Sequence, residues 1–404
     1  MVKKPDAVKT FRSASPLLFI SGPVTSPVCR VAVVGAGVAG LLSALNLNCE
    51  VEVFEAAKPG LRGRRCTGVV SRATLARLPR ARRFAVQRYS GLEVSVPELD
   101  LRLSLSSRTT FAYKLDRGAH ELELARMVED KGHRLLQRTP IRAVKPKAGG
   151  VELLLPTGWR RYDAAVLAEG YPATLARSLN LAPTVEARVG IQALVRIGGA
   201  LDPETLYVAY SPRFLRGFAW VVPLDGGRAL VGGAALSRGL ETLSRAIRLC
   251  SKLFKLKIEI SSEKFGGYVL RGYPRSLAKG RVVALGDAVA TVKSLSGGGL
   301  YAVSALARPL AELVEAAATA REPGAGSLAE IEKVLKTLRR SYALSETFDR
   351  AIASAPKLGL KLEAEVRDLE YDDHAVAILQ ALAGLKSVKR GERFPEHINT
   401  PVYA

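Results

Sequence analysis

The sequence contains few cysteines and few side-chain amides, and both shortages are informative. Four of its 404 residues are cysteine, at positions 29, 49, 66 and 250, and none of them forms the Cys-x-x-Cys pair of zinc sites and thioredoxin-like motifs. We therefore expect reduced thiols, a cytoplasmic protein and no metal site. Asparagine and glutamine also occur only four times each, a scarcity of labile amides that is typical of thermophiles.

Acidic residues are outnumbered by basic residues, 38 against 60, which leaves a net charge of +22. Such a charge is compatible with nucleic-acid binding, with an anionic membrane surface, or with a basic proteome in which the charge is incidental. The basic residues are scattered as singles and doublets, and no nucleic-acid-binding motif accompanies them. A nucleic-acid partner is therefore disfavoured, and the other two interpretations stay open.

Long hydrophobic runs are missing too. No segment approaches the ~20 apolar residues of a membrane span, and the best candidate, 300–320, carries three charged residues and predicts a buried or amphipathic helix. Residues 1–29 combine a basic start, a short apolar core and a Ser/Pro-rich stretch. We predict that they form a disordered N-terminal extension rather than a signal peptide.

The segment RVAVVGAGVAGLLSAL (30–45) predicts a buried strand, a glycine-rich turn and a helix. Gly35, Ala36, Gly37 and Gly40 fit the pattern GxGxxG, whose glycines allow a tight turn, close approach to a pyrophosphate and close helix–strand packing. The second strand, 50–54, ends at Glu55, 20 residues after the first glycine. That spacing suits an acidic residue on a ribose hydroxyl, so the segment predicts a dinucleotide site at a helix N-terminus.

A second glycine-rich segment, RVVALGDAVATVKSLSGGGL (281–300), favours FAD over NAD. The order of the two segments resembles that of FAD enzymes of the glutathione-reductase type, in which a strand ends in Gly-Asp and the carboxylate holds the ribityl chain. Gly286 and Asp287 match that pair, and Gly297, Gly298 and Gly299 precede a helix that begins near Leu300. Helix N–H groups there would stabilise the negative charge of a reduced flavin. We therefore predict FAD as the cofactor.

Four further segments resemble FAD-dependent oxidoreductases with the para-hydroxybenzoate-hydroxylase architecture, and among them the geranylgeranyl reductase family. They are RRCTG (64–68), LDRGAHELELA (115–125), LAEG (167–170) and FAWVVP (218–223). The resemblance covers about residues 30–320. It implies an α/β fold: a Rossmann-like FAD-binding domain of the glutathione-reductase type, an inserted mixed β-sheet substrate domain and a helical C-terminal region.

The resemblance also implies roles for individual residues. It implies a catalytic role for Cys66, and substrate contacts from Phe218, Trp220 and Pro223. The implied cofactor contacts outside the two glycine-rich segments are Arg65, Cys66, Gly68, Arg117 and Ile141. The chain departs from the family pattern at Thr67, His120, Val222 and Ser294, and its glycine after FAWVVP, Gly232, comes one position late. Cys66 and Trp220 can equally be read as ordinary core residues.

The predicted domains are discontinuous. Residues 30–82, 108–184 and 276–320 are expected to form the FAD-binding domain. Residues 83–107 and 185–275, which contain strand-like alternation and one helix near 238–256, are expected to form the substrate-binding sheet. Residues 321–404 are expected to be helical.

The resemblance implies reduction of C=C bonds in geranylgeranyl chains of archaeal-type membrane lipids. The implied partners are an isoprenoid lipid substrate and an unidentified electron donor, ferredoxin or NAD(P)H. The net charge of +22 and the lack of a membrane span predict in addition an anionic membrane surface, bound peripherally at the inner face of the cell membrane. No second GxGxxG segment follows the first, so NAD(P)H would have no domain of its own. Two alternatives stay open: an aromatic hydroxylase of the same fold, and a flavoprotein without catalysis.

Overall fold

The computed structural model describes residues 29–60, 65–199, 201–236, 239–391 and 394. The predicted N-terminal extension, except for Cys29, and Arg64 of the RRCTG segment lie outside the described residues. The helices in the described part are α1 (Val38–Asn46), α2 (Arg72–Arg77), α3 (Arg117–Asp130), α4 (Thr174–Ser178), α5 (Gly239–Leu253), α6 (Leu300–Ala318), α7 (Ala325–Ser354) and α8 (His374–Ala383).

The strands in the described part are grouped into four sheets. They are β1 (Arg30–Val34), β2 (Glu50–Phe54), β3 (Val69–Ser71), β4 (Ala85–Tyr89), β5 (Gly91–Val96), β6 (Leu101–Ser107), β7 (Ala112–Leu115), β8 (Arg134–Leu136), β9 (Ala143–Lys147), β10 (Gly150–Leu155), β11 (Gly158–Tyr162), β12 (Ala164–Leu167), β13 (Glu186–Gly198), β14 (Thr205–Ser211), β15 (Gly217–Leu224), β16 (Arg228–Ala235), β17 (Lys257–Arg271), β18 (Ala278–Lys279), β19 (Val282–Ala284), β20 (Leu360–Val366) and β21 (Leu385–Arg390).

A six-stranded sheet with the order β18-β19-β12-β1-β2-β8 forms the centre of the nucleotide half. All neighbours from β19 to β8 pair in parallel, and β18 is antiparallel. The apolar runs of β1, β12 and β19 are almost completely buried, as expected of parallel strands that are covered on both faces. This sheet has the Rossmann-like form that the sequence predicts.

A nine-stranded mixed sheet forms the other half, in the order β17-β13-β16-β15-β14-β5-β6-β20-β21. Helix α5 packs its apolar stripe against one face of this sheet, where it buries Leu243, Leu249 and Leu253. The opposite face, which α5 does not cover, carries Trp220 and Val222 of β15. The inserted sheet domain is therefore confirmed, and its second face points to the nucleotide half.

The C-terminal region contains two strands as well as the expected helices. Residues 321–404 are predicted to be helical, but β20 pairs in parallel with β6, and β21 pairs with β20. The reason is visible in LKLEAEV, where apolar and polar residues alternate with the period of a half-buried strand. The C-terminal region thus extends the substrate sheet.

Cys29 and Cys49 form a disulfide, contrary to the expectation of reduced thiols. Each cysteine directly precedes a strand, and the first residues of those strands, Arg30 and Glu50, are paired in the sheet. Neighbouring strands lie about 4.8 Å apart, so the two Cα atoms come within 4.9 Å of each other. The thiols of Cys66 and Cys250 are free.

We expect Cys49→Ser to lower the free energy of unfolding by about 3 kcal/mol, because the disulfide closes a loop of about 20 residues in the unfolded chain. Chemical denaturation with and without a thiol reductant measures this. Reductant should destabilise the wild type by the same amount and leave the variant unchanged. Equal unfolding midpoints for the wild type in both conditions would contradict the prediction.

Candidate functional site

The three glycines of GAGVAG have different surroundings. Gly35 has φ +102°, and a Cβ there would lie 2.3 Å from the carbonyl oxygen of Ala168; a Cβ on Gly40 would lie 1.8 Å from the carbonyl oxygen of Gly35. A Cβ on Gly37 would meet no atom within 4 Å. The first and third glycines are therefore required by the fold itself, whereas the second borders open space at the N-terminus of α1.

Glu55 follows β2 and is 4% exposed. Its two carboxylate oxygens accept hydrogen bonds from the backbone N–H groups of Ala36 and Ala57, each at 2.8 Å. The N–H of Thr139 donates to the carbonyl of Glu55 at 2.8 Å, and Ile141, two residues later, is partly buried against the core of the nucleotide half. Glu55 therefore holds the glycine turn in place, and its remaining lone pairs are available to a ribose hydroxyl.

Asp287, Arg117 and the N-terminus of α6 lie close together, and the space that they border is called the cavity here. Asp287 follows β19 in a 3-10 turn (Gly286–Val289) whose first glycine has φ +79°. Protein surrounds its carboxyl group, yet the residue is open to solvent. Burial raises the pKa of Asp287, and the nearby Arg117 opposes that rise. A carboxylate in this position is accessible only to a group that enters the cavity.

The N-terminus of α6 opens into the same cavity. Its N-cap is Gly299, no side chain caps it, and the helix begins at Leu300. A Cβ on Gly299 would lie 3.9 Å from Oδ1 of Asp287. The backbone N–H groups of the first turn, next to Gly298, therefore have no side-chain partner at the cap and can bind a ligand.

Arg117 links this cavity to the Cys66 loop. It is the first residue of α3, which begins there because the side chain of Asp116 accepts the N–H of Ala119 at 3.1 Å. Arg117 is 9% exposed, and its Nη2 donates to Glu121 Oε1 at 2.5 Å. Burial acts to lower the pKa of Arg117, but Cys66 and Glu121 act in the opposite direction and the pKa is raised.

The Nε atom of Arg117 is buried and has no hydrogen-bond partner among the described residues. A buried donor of this kind requires an explanation, because native proteins satisfy nearly all buried polar atoms. A bound polar group in the cavity would supply the missing acceptor.

Cys66 is exposed and lies in the loop that leads to β3. The loop packs against β7 at Gly68, which has φ +74° and whose Cβ would lie 2.6 Å from the carbonyl oxygen of Leu115. Lys114 of β7 donates to that carbonyl at 2.7 Å. Burial lowers the pKa of Lys114, and the charges of Cys66 and Asp116 oppose this. A Cys66 thiolate would therefore have two buried cations, Lys114 and Arg117, near it.

A glutamine connects the Cys66 loop to the large sheet. Gln192 of β13 is 2% exposed. Its Oε1 accepts from Trp220 Nε1 at 3.2 Å and from Thr67 Oγ1 at 3.0 Å, and its Nε2 donates to the carbonyl of Arg65 at 3.4 Å. Thr67, which replaces the acidic residue of the family pattern, therefore orients the loop next to Trp220.

Trp220 and Phe218 place their rings side by side, with centroids 5.6 Å apart. The indole fits because Gly232 lies opposite in β16, where a Cβ would come within 2.7 Å of Trp220 Cζ2. A Cβ on Gly297 would lie 3.8 Å from Phe218 Cζ. The aromatic pair therefore reaches the glycine triplet on one side and the Cys66 loop on the other.

Pro223 does not join this group. Strand β15 is paired without a bulge, so Phe218, Trp220 and Val222 share one face and Pro223 points to the other face. The carbonyl of Pro223 accepts a hydrogen bond from Tyr89 Oη at 2.7 Å. The predicted substrate contact from Pro223 is therefore not supported, since strand alternation directs the ring away from the cavity.

The sheet face around Trp220 is mostly apolar. Partly buried apolar side chains surround it, which are Leu194 of β13, Leu224 of β15 and Phe265 of β17. Gln192 is the buried polar residue in this region, and its bonds to Trp220 and Thr67 satisfy it. The surface next to the cavity is therefore suited to an apolar ligand.

The comparisons with known proteins identify the fold. No family model matches the chain. An uncharacterised protein of Methanocaldococcus jannaschii is 34% identical over 113 residues, and this match spans 26% of the chain and 28% of the relative's length. A geranylgeranyl bacteriochlorophyll reductase-like protein of Thermoplasma acidophilum has a TM-score of 0.67 at 17% identity, covering 92% of this chain and 94% of that one. The chain has the FAD-dependent oxidoreductase fold.

Other solved structures with this fold differ in activity. A flavoprotein/dehydrogenase from Cytophaga hutchinsonii has a TM-score of 0.62 at 16% identity, covering 88% of this chain and 92% of that one. A halogenase PltM mutant in complex with FAD has a TM-score of 0.62 at 15% identity, covering 80% of this chain and 77% of that one. At these identities the likeness establishes the FAD-oxidoreductase fold, and activity must be argued from the site.

The residues of the cavity fit FAD. Open space at Gly37 allows a pyrophosphate to approach the start of α1, as the fold requires. Asp287 offers an accessible carboxylate, Arg117 an unsatisfied buried donor, and α6 an uncapped N-terminus. Asp287 neighbours both Arg117 and Gly299, although the three residues are distant in sequence.

Sequence reasoning missed four residues of the site. Lys114 and Gln192 touch the Cys66 loop, and Lys293 and Asp372 lie behind the glycine triplet. Gln192 interrupts an apolar strand face and is one of only four glutamines, so it could have been noticed. Lys114 is recognisable only once β3 pairs with β7, and Lys293 and Asp372 only once the C-terminal region is seen to return to the site.

Proposed function

We propose that the protein is an FAD-dependent reductase of C=C bonds in isoprenoid chains, with geranylgeranyl chains of archaeal-type membrane lipids as the substrate class. The observation that carries the proposal is the meeting of Cys66, the Phe218–Trp220 pair and the Gly297–Gly299 triplet at an apolar sheet face. An alkene placed there would be surrounded by apolar side chains. The FAD-oxidoreductase fold and the resemblance of the FAWVVP segment to the lipid-pocket element of geranylgeranyl reductases support the same assignment.

The proposed reaction adds one hydride and one proton to a double bond. When bound, reduced FAD supplies the hydride. Phe218 and Trp220 hold the apolar chain and exclude water, and Gln192 fixes the indole through its 3.2 Å hydrogen bond. Cys66 donates the proton to the second carbon. The thiolate left behind is stabilised by the cations of Lys114 and Arg117 until water reprotonates it.

Mass spectrometry of the lipid tests the proposal. Purified enzyme with FAD and dithionite is incubated with a geranylgeranylated glycerol lipid, and each reduced bond should add two hydrogen atoms to the product. Intact lipid in the presence of bound, fully reduced FAD would contradict the reductase assignment. Oxygen consumption stimulated by an aromatic compound would instead favour the hydroxylase.

The enzyme is further proposed to work at an anionic membrane surface. No helix in the described part of the chain is long and apolar enough to cross a bilayer. Helix α8 and strand β21 nevertheless expose an apolar surface, the α8 patch, which comprises Val376 (38% exposed), Leu379 (66%), Leu382 (59%) and Val388 (55%). Apolar residues exposed together in this way often mark interaction sites.

The position and surroundings of the α8 patch fit a lipid surface. Strand β21 adds the exposed cations Lys386 and Lys389, which are paired with Glu365 and Glu363, and the exposed Arg390, and the whole chain carries a charge of +22. Each basic residue close to an anionic leaflet contributes about 1 kcal/mol of attraction. Helix α8 begins at His374, two residues after Asp372, which hydrogen-bonds to Ser71 just beyond the Cys66 loop. The patch thus adjoins the site that would receive the lipid chain.

We expect Leu379→Ser/Leu382→Ser to reduce partitioning onto phosphatidylglycerol vesicles roughly 100-fold, since burying each leucine contributes about 1.5–3 kcal/mol. Co-sedimentation at low salt measures this. Leu240→Ser is the matched control, because Leu240 is 67% exposed on α5. Unchanged vesicle binding by the double variant would refute the assignment of the patch. A dimer that the double substitution dissociates, without vesicle binding, would assign the patch to self-association instead.

A further inference from the structure

Lys293 is a buried lysine in the loop between the Gly286–Val289 turn and α6. Its side chain is 3% exposed. Its backbone closes the loop around the glycine triplet: its N–H donates to the carbonyl of Gly298 at 3.1 Å and its carbonyl accepts from Gly297 at 2.8 Å. A Cβ on Gly298 would lie 3.0 Å from Lys293 Cε and 3.7 Å from Nζ. The ammonium group therefore lies directly behind the triplet.

Asp372 neutralises this cation. Its Oδ1 lies 3.2 Å from Lys293 Nζ, and the same ammonium donates to the carbonyl of Tyr371 at 2.9 Å. The Tyr371 ring centroid is 5.0 Å from Nζ. Because the side chain of Asp372 is only 8% exposed, water screens the pair far less than it screens a surface ion pair.

The same carboxylate also holds the Cys66 side of the cavity. Asp372 Oδ2 accepts from Thr74 Oγ1 at 3.0 Å and from the hydroxyl of Ser71. Ser71 ends β3, which follows the Cys66 loop directly. One carboxylate from the C-terminal region thus fixes both loops that border the cofactor cavity.

A neighbouring histidine adds no charge at neutral pH. Burial, together with Lys293, lowers the pKa of His374 to about 3. Its Nδ1 lies 3.1 Å from Ser341 Oγ, which accepts the N–H of Leu295 at 3.3 Å. His374 therefore anchors the loop as a neutral ring and leaves the charge behind the triplet to Lys293 and Asp372.

We propose that Lys293 and Asp372 tune the reduction potential of the bound flavin in opposite directions, Lys293 raising it and Asp372 lowering it. The inference rests on the proposed FAD site. Two-electron reduction with uptake of one proton leaves a negative charge on the flavin ring. A buried cation behind the glycine triplet favours that charge and a buried carboxylate disfavours it. The two are positioning residues, since neither needs to touch the substrate.

Equilibrium reduction of the holoenzyme against a reference dye tests this. For Lys293→Met we expect the ratio of reduced to oxidised flavin at a fixed potential to fall about tenfold, which is about 30 mV for a two-electron couple. For Asp372→Asn we expect a shift of similar size in the opposite direction. Lys293→Arg, which keeps the charge, should stay close to the wild type.

Shifts of the reduction potential in opposite directions distinguish electrostatic tuning of the flavin from structural support of the loops. A pair that only held the loops in place would shift both potentials the same way or not at all, and that result would overturn the inference. If Lys293→Met does not retain flavin, Asp372→Asn decides alone: a raised potential supports the inference, and an unchanged or lowered one overturns it. If the wild type binds no FAD, the proposed function itself fails. The visible spectrum of the wild type detects that outcome independently of the two variants.

Discussion

Gly37→Ala should weaken FAD binding roughly 10- to 100-fold, because the added methyl group costs about 1–3 kcal/mol where the pyrophosphate must approach. The apoprotein has room for that methyl group, since a Cβ on Gly37 meets no atom within 4 Å and its φ is −76°. Fluorescence titration with FAD measures the affinity, and thermal unfolding of the apoprotein measures the stability. We expect the affinity for FAD to fall and the stability of the apoprotein to be retained.

Two control variants make this prediction specific. Gly324→Ala changes another helix N-cap glycine with open space around its Cβ position, so it should match the small stability change of Gly37→Ala, within about 1 kcal/mol, and keep full FAD affinity. Gly40→Ala should destabilise the apoprotein, because its Cβ would lie 1.8 Å from a backbone oxygen. If Gly37→Ala binds FAD as well as Gly324→Ala does, the cofactor does not pass the start of α1 and the site is wrongly placed.

Cys66→Ala should lower kcat for lipid reduction about 100-fold or more, the usual contribution of a positioned proton donor. The bound FAD and its reduction by dithionite should be unaffected, because the loop is held by backbone packing at Gly68 and by the Gln192 hydrogen bonds rather than by the thiol. Single-turnover reduction of the lipid, followed by reoxidation of the flavin, measures the step directly.

The other free cysteine supplies the comparison for Cys66. Cys250 is a completely buried residue of α5, where burial raises the pKa of its thiol to about 12, so Cys250→Ala should leave kcat unchanged. A Cys66→Ala enzyme that turns over at the wild-type rate would show that Cys66 only packs, which is the ordinary interpretation of a small apolar residue.

The parts of the site that depend on local backbone chemistry were predictable from the sequence. GAGVAG followed by a strand and Glu55, and Gly286-Asp287 followed by the triplet, specify turns and helix starts that few other residues could form. Their positions in the structure agree with those expectations. The resemblance of FAWVVP treats Phe218, Trp220 and Pro223 alike, whereas strand alternation places the two aromatic side chains on one face of β15 and Pro223 on the other.

The parts that depend on long-range packing were not predictable. β20 was predicted as helix. Its alternating pattern favours a strand, but its partner β6 lies more than 250 residues earlier in the chain, so the pairing could not be seen locally. The C-terminal region also places Asp372 against Ser71 and Lys293, and no local sequence pattern predicts these contacts. The disulfide was missed for the same reason, since Cys29 and Cys49 become neighbours only when β1 and β2 pair.

The visible spectrum of the purified protein, before and after dithionite, with the released cofactor identified, shows directly whether this chain binds FAD. We expect a flavin spectrum that bleaches on reduction and one FAD released per chain. A colourless protein that also fails to take up added FAD would contradict this expectation, because the open cradle at Gly37, the accessible carboxylate of Asp287 and the unsatisfied Nε of Arg117 would then have no ligand.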